Sequence, residues 1–268
     1  MAQLKVGLIG LGKMGAPIAG HILKGGYTLY AYDLDASKVK RLVEQGAHAS
    51  SDTAAVAKQC DLVIVMVGYD HEVQELCKAG GGLFGHMPRG SVLAVCSTVK
   101  PPTITDLERL ARQKDIALLD APVTRAEQGA IAGNLLMLGS GDLEAFEKAR
   151  PVFQTFCADI FHLGPAGCGQ VGKLIHNILL WVSVVANNEA FSLADNCGID
   201  KAVLAKAIKM STGGNGTIEY FHTMTMPWVH KDLSLALEFA ETLELGLPLT
   251  GLAKQMVKVM GLPRSQNA

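Results

Sequence analysis

Residues 4–33 constrain the fold more than any other part of this chain. LKVGLIG (4–10) is a short apolar run, and Gly10-Leu11-Gly12-Lys13-Met14-Gly15 begins where it ends. MGAPIAGHILKGG (14–26) then has helical spacing and a glycine stop, and TLYAYD (28–33) is a second apolar run closed by an acid. The pattern predicts a strand ending at Ile9, a tight turn, a helix from near Met14, and a second strand whose terminal Asp33 stands 18 residues past Gly15. In this order the three glycines have separate tasks. Gly10 permits the turn, Gly12 lets a pyrophosphate approach the backbone, and Gly15 lets helix and strand pack closely. The helix start supplies unpaired N–H groups and the positive end of a dipole. Residues 10–15 and Asp33 are therefore the expected dinucleotide contacts. A carboxylate at Asp33 accepts hydrogen bonds from ribose hydroxyls and repels a 2'-phosphate. LDAS (34–37) offers no arginine to bind one, and Lys38 and Lys40 fall on the following helix. NAD is expected over NADP.

The alternation continues. ASKVKRLVEQG (36–46) reads as a helix, CDLVIVMVG (60–68) and SVLAVCS (91–97) as buried strands, and 101–114 as a proline-started helix. IALLDAPV (116–123), NLLMLGSG (134–141) and DIFHLG (159–164) complete the strands, after which only helical periods remain. Strands alternating with helices build a mostly parallel sheet covered on both faces. The expected fold is α/β: a doubly wound Rossmann-type domain over 1–164, then an all-helical domain over 165–268, joined by a long helix from about Gly167 to Asn196. A ligand is expected at the carboxyl edge of the sheet.

Composition excludes several partners. Hydrophobic residues make up 49% and charged residues 18%, enough for a sizeable core. The net charge of -1, without a basic run, gives no footprint for nucleic acid or an anionic membrane. The run from Ile178 to Ala186 is too short to span a bilayer. Six scattered cysteines without a C-x-x-C pair point to reduced thiols and a cytoplasmic protein, with neither a disulfide framework nor a metal site. The N-terminus runs straight into a strand pattern, so no signal peptide is expected.

GQVGKLIHNILLWVSVVA (169–186) is core-like, yet Lys173 and Asn177 stand one turn apart on one helical face. A lysine among apolar side chains has its charged form disfavoured, which suits general acid/base work. His176, off that face, reads first as a packing residue, with a proton relay as the alternative. With VGLIGLGKMGAPIAGHIL, CSTVKPP, LLDAPVTRAEQGAIAGNLLMLGSG, GPAGCGQVGKLIHN and HKDLSLALEFAETLELGLPLT, the chain resembles the β-hydroxyacid dehydrogenases over about residues 4–255. This is the group of 3-hydroxyisobutyrate dehydrogenase, tartronate semialdehyde reductase and sulfolactaldehyde reductase. The resemblance implies hydride transfer between NAD(H) and a short 3-hydroxy acid or semialdehyde. It implies Lys173 as the acid/base with Asn177 beside it, Val67, Ser97, Thr98 and Lys231 toward the cofactor, and Thr124, Arg125 and Ala126 around the substrate anion. A homodimer or homotetramer is expected from exposed apolar helix faces.

Three departures from the family pattern stand out. Its Ser-Gly-Gly is Thr124-Arg125-Ala126 here, and Arg125 is expected either to grip a substrate carboxylate, sulfonate or phosphate or to point to solvent. Its Leu-Pro after the strand at 60–68 is Val67-Gly68. The stretch 211–230 is short and the chain stops early, after GLPRSQNA, which bears on lid and subunit contacts. An imine reductase would carry another residue at Lys173, and a 6-phosphogluconate dehydrogenase would need a larger helical domain. A non-catalytic NAD-binding module, or a Rossmann regulator that senses NAD, would have no need of Lys173, Asn177 and Lys231 together.

Overall fold

A computed structural model describes residues 3–78 and 82–260. The early chain end over 261–268, noted above, lies outside the described residues. The chain divides into two compact units, with the break between Lys173 and Leu174.

The first unit contains β1 (Val6–Ile9), α1 (Gly15–Lys24), β2 (Leu29–Tyr32), α2 (Ala36–Val43), β3 (His48–Ala49), α3 (Thr53–Gln59), β4 (Leu62–Val65), α4 (Asp70–Lys78), β5 (Val92–Val95), α5 (Pro101–Arg112), β6 (Ala117–Asp120), β7 (Val123–Thr124), α6 (Ala126–Ala132), β8 (Leu135–Gly141), α7 (Leu143–Phe153) and β9 (Cys157–His162). The sheet order is β3-β2-β1-β4-β5-β6-β8-β7, with β9 on β8. From β3 to β6 every pairing is parallel. β8 then runs antiparallel to β6 and β7. Alternation along the strands feeds two separate cores. Leu62 and Ile64 of β4 join Leu8, Ile18 and Phe146 on one face; Val63 and Val65 join Val56, Leu93 and Ile104 on the other. Burial on both sides is why these strands read as continuous apolar runs.

The stretch 116–123, expected as one strand, is two, because the ladder is interrupted at Ala121-Pro122. Pro122 has no N–H for a ladder; its carbonyl instead accepts from the Leu138 N–H at 3.0 Å. Val123 and Thr124 then resume pairing with β8 in the register that Leu119 and Asp120 began.

α8 (Cys168–Asn196) begins in the first unit and continues into the second. The compact units divide inside this helix rather than before it, because its first turn is hydrogen-bonded to the sheet. By length and composition α8 is long and apolar enough to cross a bilayer, longer than the run at 178–186 suggested. Its hydrogen-bonded polar residues Gln170 and Asn187 are both buried within the protein, as a core helix requires. The second unit adds α9 (Lys201–Lys209), α10 (Val229–Thr242) and α11 (Pro248–Val259) around a core that includes Trp181, Val184, Phe191, Phe221, Leu233 and Val257. The 211–230 stretch is pinned to α8 by Asn187, which donates to Asn215 at 3.1 Å and Thr217 at 2.8 Å.

Candidate active site

The glycine turn has the shape a pyrophosphate needs. Gly10 has φ +95°, and a Cβ there would stand 2.3 Å from the Met66 carbonyl oxygen. A Cβ on Gly15 would stand 1.9 Å from the Gly10 oxygen, so close packing is obligatory. Around Gly12, by contrast, a Cβ would meet nothing within 4 Å. That face is open, and a side chain would fill it. α1 also starts at Met14 without a side-chain cap, so its first-turn N–H groups take no hydrogen bond from their own cap residue. An open backbone cradle and an uncapped helix start fit a dinucleotide pyrophosphate.

Asp33 is tied into this turn. Its Oδ2 accepts from the Leu11 N–H at 2.6 Å and its Oδ1 from the Asp35 N–H at 2.8 Å. Lys38 lies on α2 as expected, but its Nζ reaches back to Asp33 Oδ1 at 3.3 Å. The carboxylate is therefore partly neutralised by a neighbour that sequence reading had set aside. The Leu11 side chain belongs to the core, and its N–H is already spent on Asp33. Lys13 is exposed, 4.0 Å from Glu127 of α6.

At the ends of β4 and β5, the Ser97 hydroxyl faces inward. It is 2% exposed and accepts from the Val67 N–H at 2.8 Å. It thus ties the two strand ends together, and half-buried Thr98 is the more exposed of the pair.

The start of α8 is closed where that of α1 is open. Fully buried Asp120, at the end of β6, accepts from the Gly167 N–H at 3.0 Å through Oδ1 and from the Gln170 N–H at 2.8 Å through Oδ2. It also accepts from the Ser140 hydroxyl, whose oxygen takes the Gly169 N–H at 2.9 Å. A carboxylate here satisfies orphan donors and offsets the helix dipole. The glycines have steric reasons too. Gly167 has φ +97°, and a Cβ on Gly169 would stand 2.5 Å from the Leu138 carbonyl oxygen and 2.8 Å from Asp120 Oδ2. Glycine at both positions is what lets the helix sit on the strand ends.

One turn on, half-buried Lys173 donates from Nζ to the Val123 carbonyl at 2.8 Å. The ammonium therefore lies beside the peptide that leads into Thr124, Arg125 and Ala126. Thr124 is buried; Arg125 and Ala126 both adopt left-handed backbone, φ +78° and +52°. Non-glycine residues there carry strain of about 1–2 kcal/mol each. The Arg125 guanidinium is directed away to an ion pair, with Asp159 at 2.6 Å and the Asn134 carbonyl at 2.7 Å.

Of the other expected residues, Asn177 is 1% exposed and its Nδ2 has no hydrogen-bond partner among the described residues. A buried, unsatisfied donor one turn beyond Lys173 on the same helix is the mark of a group that awaits an acceptor. Lys231 packs over the Trp228 ring at 5.3 Å, and the neighbouring Asp232 accepts from Trp181 Nε1 at 3.1 Å. Asp120, Ser140 and Gln170 were not singled out by sequence. The available signal was Asp120 itself, a carboxylate closing a strand buried on both faces.

Comparison with known proteins agrees with this layout. Residues 5–164 match the model of the NAD-binding domain of 6-phosphogluconate dehydrogenase, and 167–266 that of the NAD-binding domain of NADP-dependent 3-hydroxyisobutyrate dehydrogenase. An NAD-dependent L-serine dehydrogenase of Pseudomonas aeruginosa is 35% identical, over 96% of this chain and 92% of that one. A 3-hydroxyisobutyrate dehydrogenase of the same organism is 33% identical, over 94% and 90%. The structure of a Mycobacterium tuberculosis 3-hydroxyisobutyrate dehydrogenase with L-serine has the same fold, with TM-score 0.87 at 24% identity over 96% and 94%.

Proposed function

The chain belongs to the β-hydroxyacid dehydrogenase family and is an NAD(P)-dependent oxidoreductase of small hydroxy acids, and from that premise we propose that it interconverts a short 3-hydroxy acid and its semialdehyde with Lys173 as the general acid/base. The observation that carries the assignment is the Lys173 ammonium beside Val123, at the entrance to the Thr124–Ala126 turn. The imine-reductase alternative is not favoured, since relatives at 33–35% identity are hydroxy acid dehydrogenases.

A bound nicotinamide supplies the hydride acceptor or donor. For oxidation, Lys173 Nζ takes the proton of the substrate hydroxyl; for reduction, the ammonium returns it to the aldehyde oxygen. Asn177 Nδ2, buried and without a partner among the described residues, donates to that same oxygen. The Thr124 hydroxyl and the backbone N–H groups of the left-handed turn hold the substrate's acid group. Arg125 acts through this backbone, with its side chain tethering the turn to Asp159. Gly12 and the α1 start receive the pyrophosphate. Thr98 and Val67 complete the cofactor side, with Ser97 fixing Val67 from behind. Asp33 favours NAD over NADP, a preference tempered by Lys38.

The relatives that act on 3-hydroxyisobutyrate and L-serine support a three- or four-carbon substrate with the alcohol on the carbon beta to the carboxylate. A homodimer or homotetramer is part of the same proposal, supported by exposed Leu179, Leu193, Val203, Leu252 and Val259 on the helices of the second unit. Six free cysteines suit a cytoplasmic location.

The test is turnover of short 3-hydroxy acids, L-serine included, with NAD and NADP, by wild type and Lys173→Ala. We expect loss of kcat by about 10²–10⁴-fold in the variant, with cofactor affinity kept within about threefold. A Lys173→Ala enzyme that still turns over at the wild-type rate would remove Lys173 from the chemistry.

A further inference from the structure

A single buried amide joins the strand ends on the cofactor side to the helix that carries Lys173. Gln170 is 0% exposed. Its Oε1 accepts from the Val99 N–H at 3.1 Å, and its Nε2 donates to the Ser97 carbonyl at 3.0 Å. These two backbone groups flank Thr98, so the carboxamide brackets that residue as a neighbouring strand would. Ser97 in turn receives the Val67 N–H, and the Gln170 N–H itself goes to Asp120. Gln170 and Lys173 are three residues apart and lie on neighbouring positions of one helix face.

The choice of side chain is informative. An apolar residue would fill this space at a lower ordering cost, but it would leave the Ser97 carbonyl and the Val99 N–H buried without partners. A glutamine satisfies both, and only at one separation between helix and strand end, because two parallel hydrogen bonds fix distance and tilt together. Lys173 is held at its far end by Val123, so its ammonium is located from two sides: by its own hydrogen bond, and by the seating of its helix on Thr98.

We propose that Gln170 is a positioning residue that sets the registry between the Thr98 turn and the Lys173 ammonium. It touches no reacting atom and acts through Lys173, so the proposal rests on the acid/base reading of that lysine. Misplacement of a reacting group by about 1 Å costs on the order of 10²-fold in rate.

The test uses the full chain with Gln170→Glu and Gln170→Met. Glutamate keeps an acceptor for Val99 but, when ionised, loses the donor to Ser97; protonation restores it. Burial of this fully enclosed position and the adjacent Asp120 raise the pKa of the introduced carboxyl, against the opposing pull of Lys173 three residues along the same face. For Gln170→Glu we expect kcat about 10–100-fold below wild type at pH 8, with cofactor affinity within about threefold, and a ratio to wild type that recovers as pH falls toward 6. Gln170→Met should show the same loss without recovery. A second readout needs no turnover: the pH dependence of Lys173 acetylation by acetic anhydride, followed by peptide mass spectrometry. Its midpoint should shift in both folded variants. Coincident acetylation curves, or a loss of kcat that only tracks loss of folded protein, overturn the proposal. So does a loss of cofactor affinity with kcat intact. If wild type oxidises no hydroxy acid, the acid/base reading fails by itself, and the acetylation curves still decide whether Gln170 governs Lys173. If Gln170→Glu does not fold, the curve for Gln170→Met decides.

Discussion

Gly12→Ala separates binding from folding within a single turn. A Cβ at Gly12 meets no atom within 4 Å, and the residue lies outside the left-handed region, so the folded chain accepts alanine without strain. The substitution also restricts the unfolded chain, which stabilises by about 0.4–1 kcal/mol. For a protein of this size that raises Tm by roughly 1–4 °C without cofactor. The methyl group occupies the space through which a pyrophosphate reaches the backbone. Losing one charge-assisted hydrogen bond there costs about 1.5–3 kcal/mol, or roughly 10–150-fold in affinity. The assay pairs thermal melts of the cofactor-free protein with NADH fluorescence titration. The expected result is a protein at least as stable as wild type that binds NADH at least about tenfold more weakly. Gly15→Ala is the control, since its Cβ would lie 1.9 Å from the Gly10 oxygen and must destabilise the fold itself. A Gly12→Ala protein with NADH affinity within about threefold of wild type would show that no phosphate approaches this face, and the cofactor placement would fall with it.

Other predictions follow from individual contacts. Lys38→Met unmasks Asp33 and should raise the preference for NADH over NADPH by about three- to tenfold, read as the ratio of kcat/KM values; a ratio that falls instead would assign Lys38 another partner. Arg125→Ala should change KM for the hydroxy acid by less than about threefold, because the guanidinium already serves Asp159; a tenfold rise would return it to the substrate. Asp120→Ala strands the Gly167, Gln170 and Ser140 donors in the core and should cost about 3–5 kcal/mol in urea unfolding, against about 1 kcal/mol if α8 simply readjusts. Burial pushes the Cys60, Cys77 and Cys96 thiols up to about 12 from an ordinary value of 9.0. Their folded pKa values are raised, so the stability they confer is complete below about pH 9 and is lost as pH rises toward about 12, at about 1 kcal/mol per thiol per pH unit. Melts between pH 8.5 and 10.5 should show this slope, and a Cys96→Val protein with an unchanged slope would count against it.

What could be read from the sequence, and what could not, follows the range over which each signal acts. The α1 start was legible because its requirements are local: three glycines, a strand before and a helix after, all within residues 4–24. The structure adds that Gly10 and Gly15 are packed against backbone while Gly12 faces open space, a division visible only once Met66 is beside Gly10. The α8 start has the same kind of glycine spacing and a different logic. Gly169 leaves room for Asp120 and the Leu138 carbonyl, which come from strands far back in the chain, and Gly167 supplies the left-handed backbone before it. No local pattern announces such a cap, although a lysine and an asparagine one turn apart in an apolar helix did single out Lys173 beyond it. Ser97 shows the converse. A hydroxyl at a strand end reads as a lining residue, yet the pairing of β4 with β5 turns it inward to meet Val67, leaving Thr98 beside it as the more exposed hydroxyl. Pro122 was the one break that sequence could have supplied, since a residue without an N–H cannot continue the ladder. Val123, the residue after it, accepts from Lys173 through its carbonyl. The two helix starts thus divide the work by how they are capped. The one left without a side-chain cap is where we propose that the pyrophosphate binds, and the one closed from within by Asp120 would be a rigid mount for the proposed base.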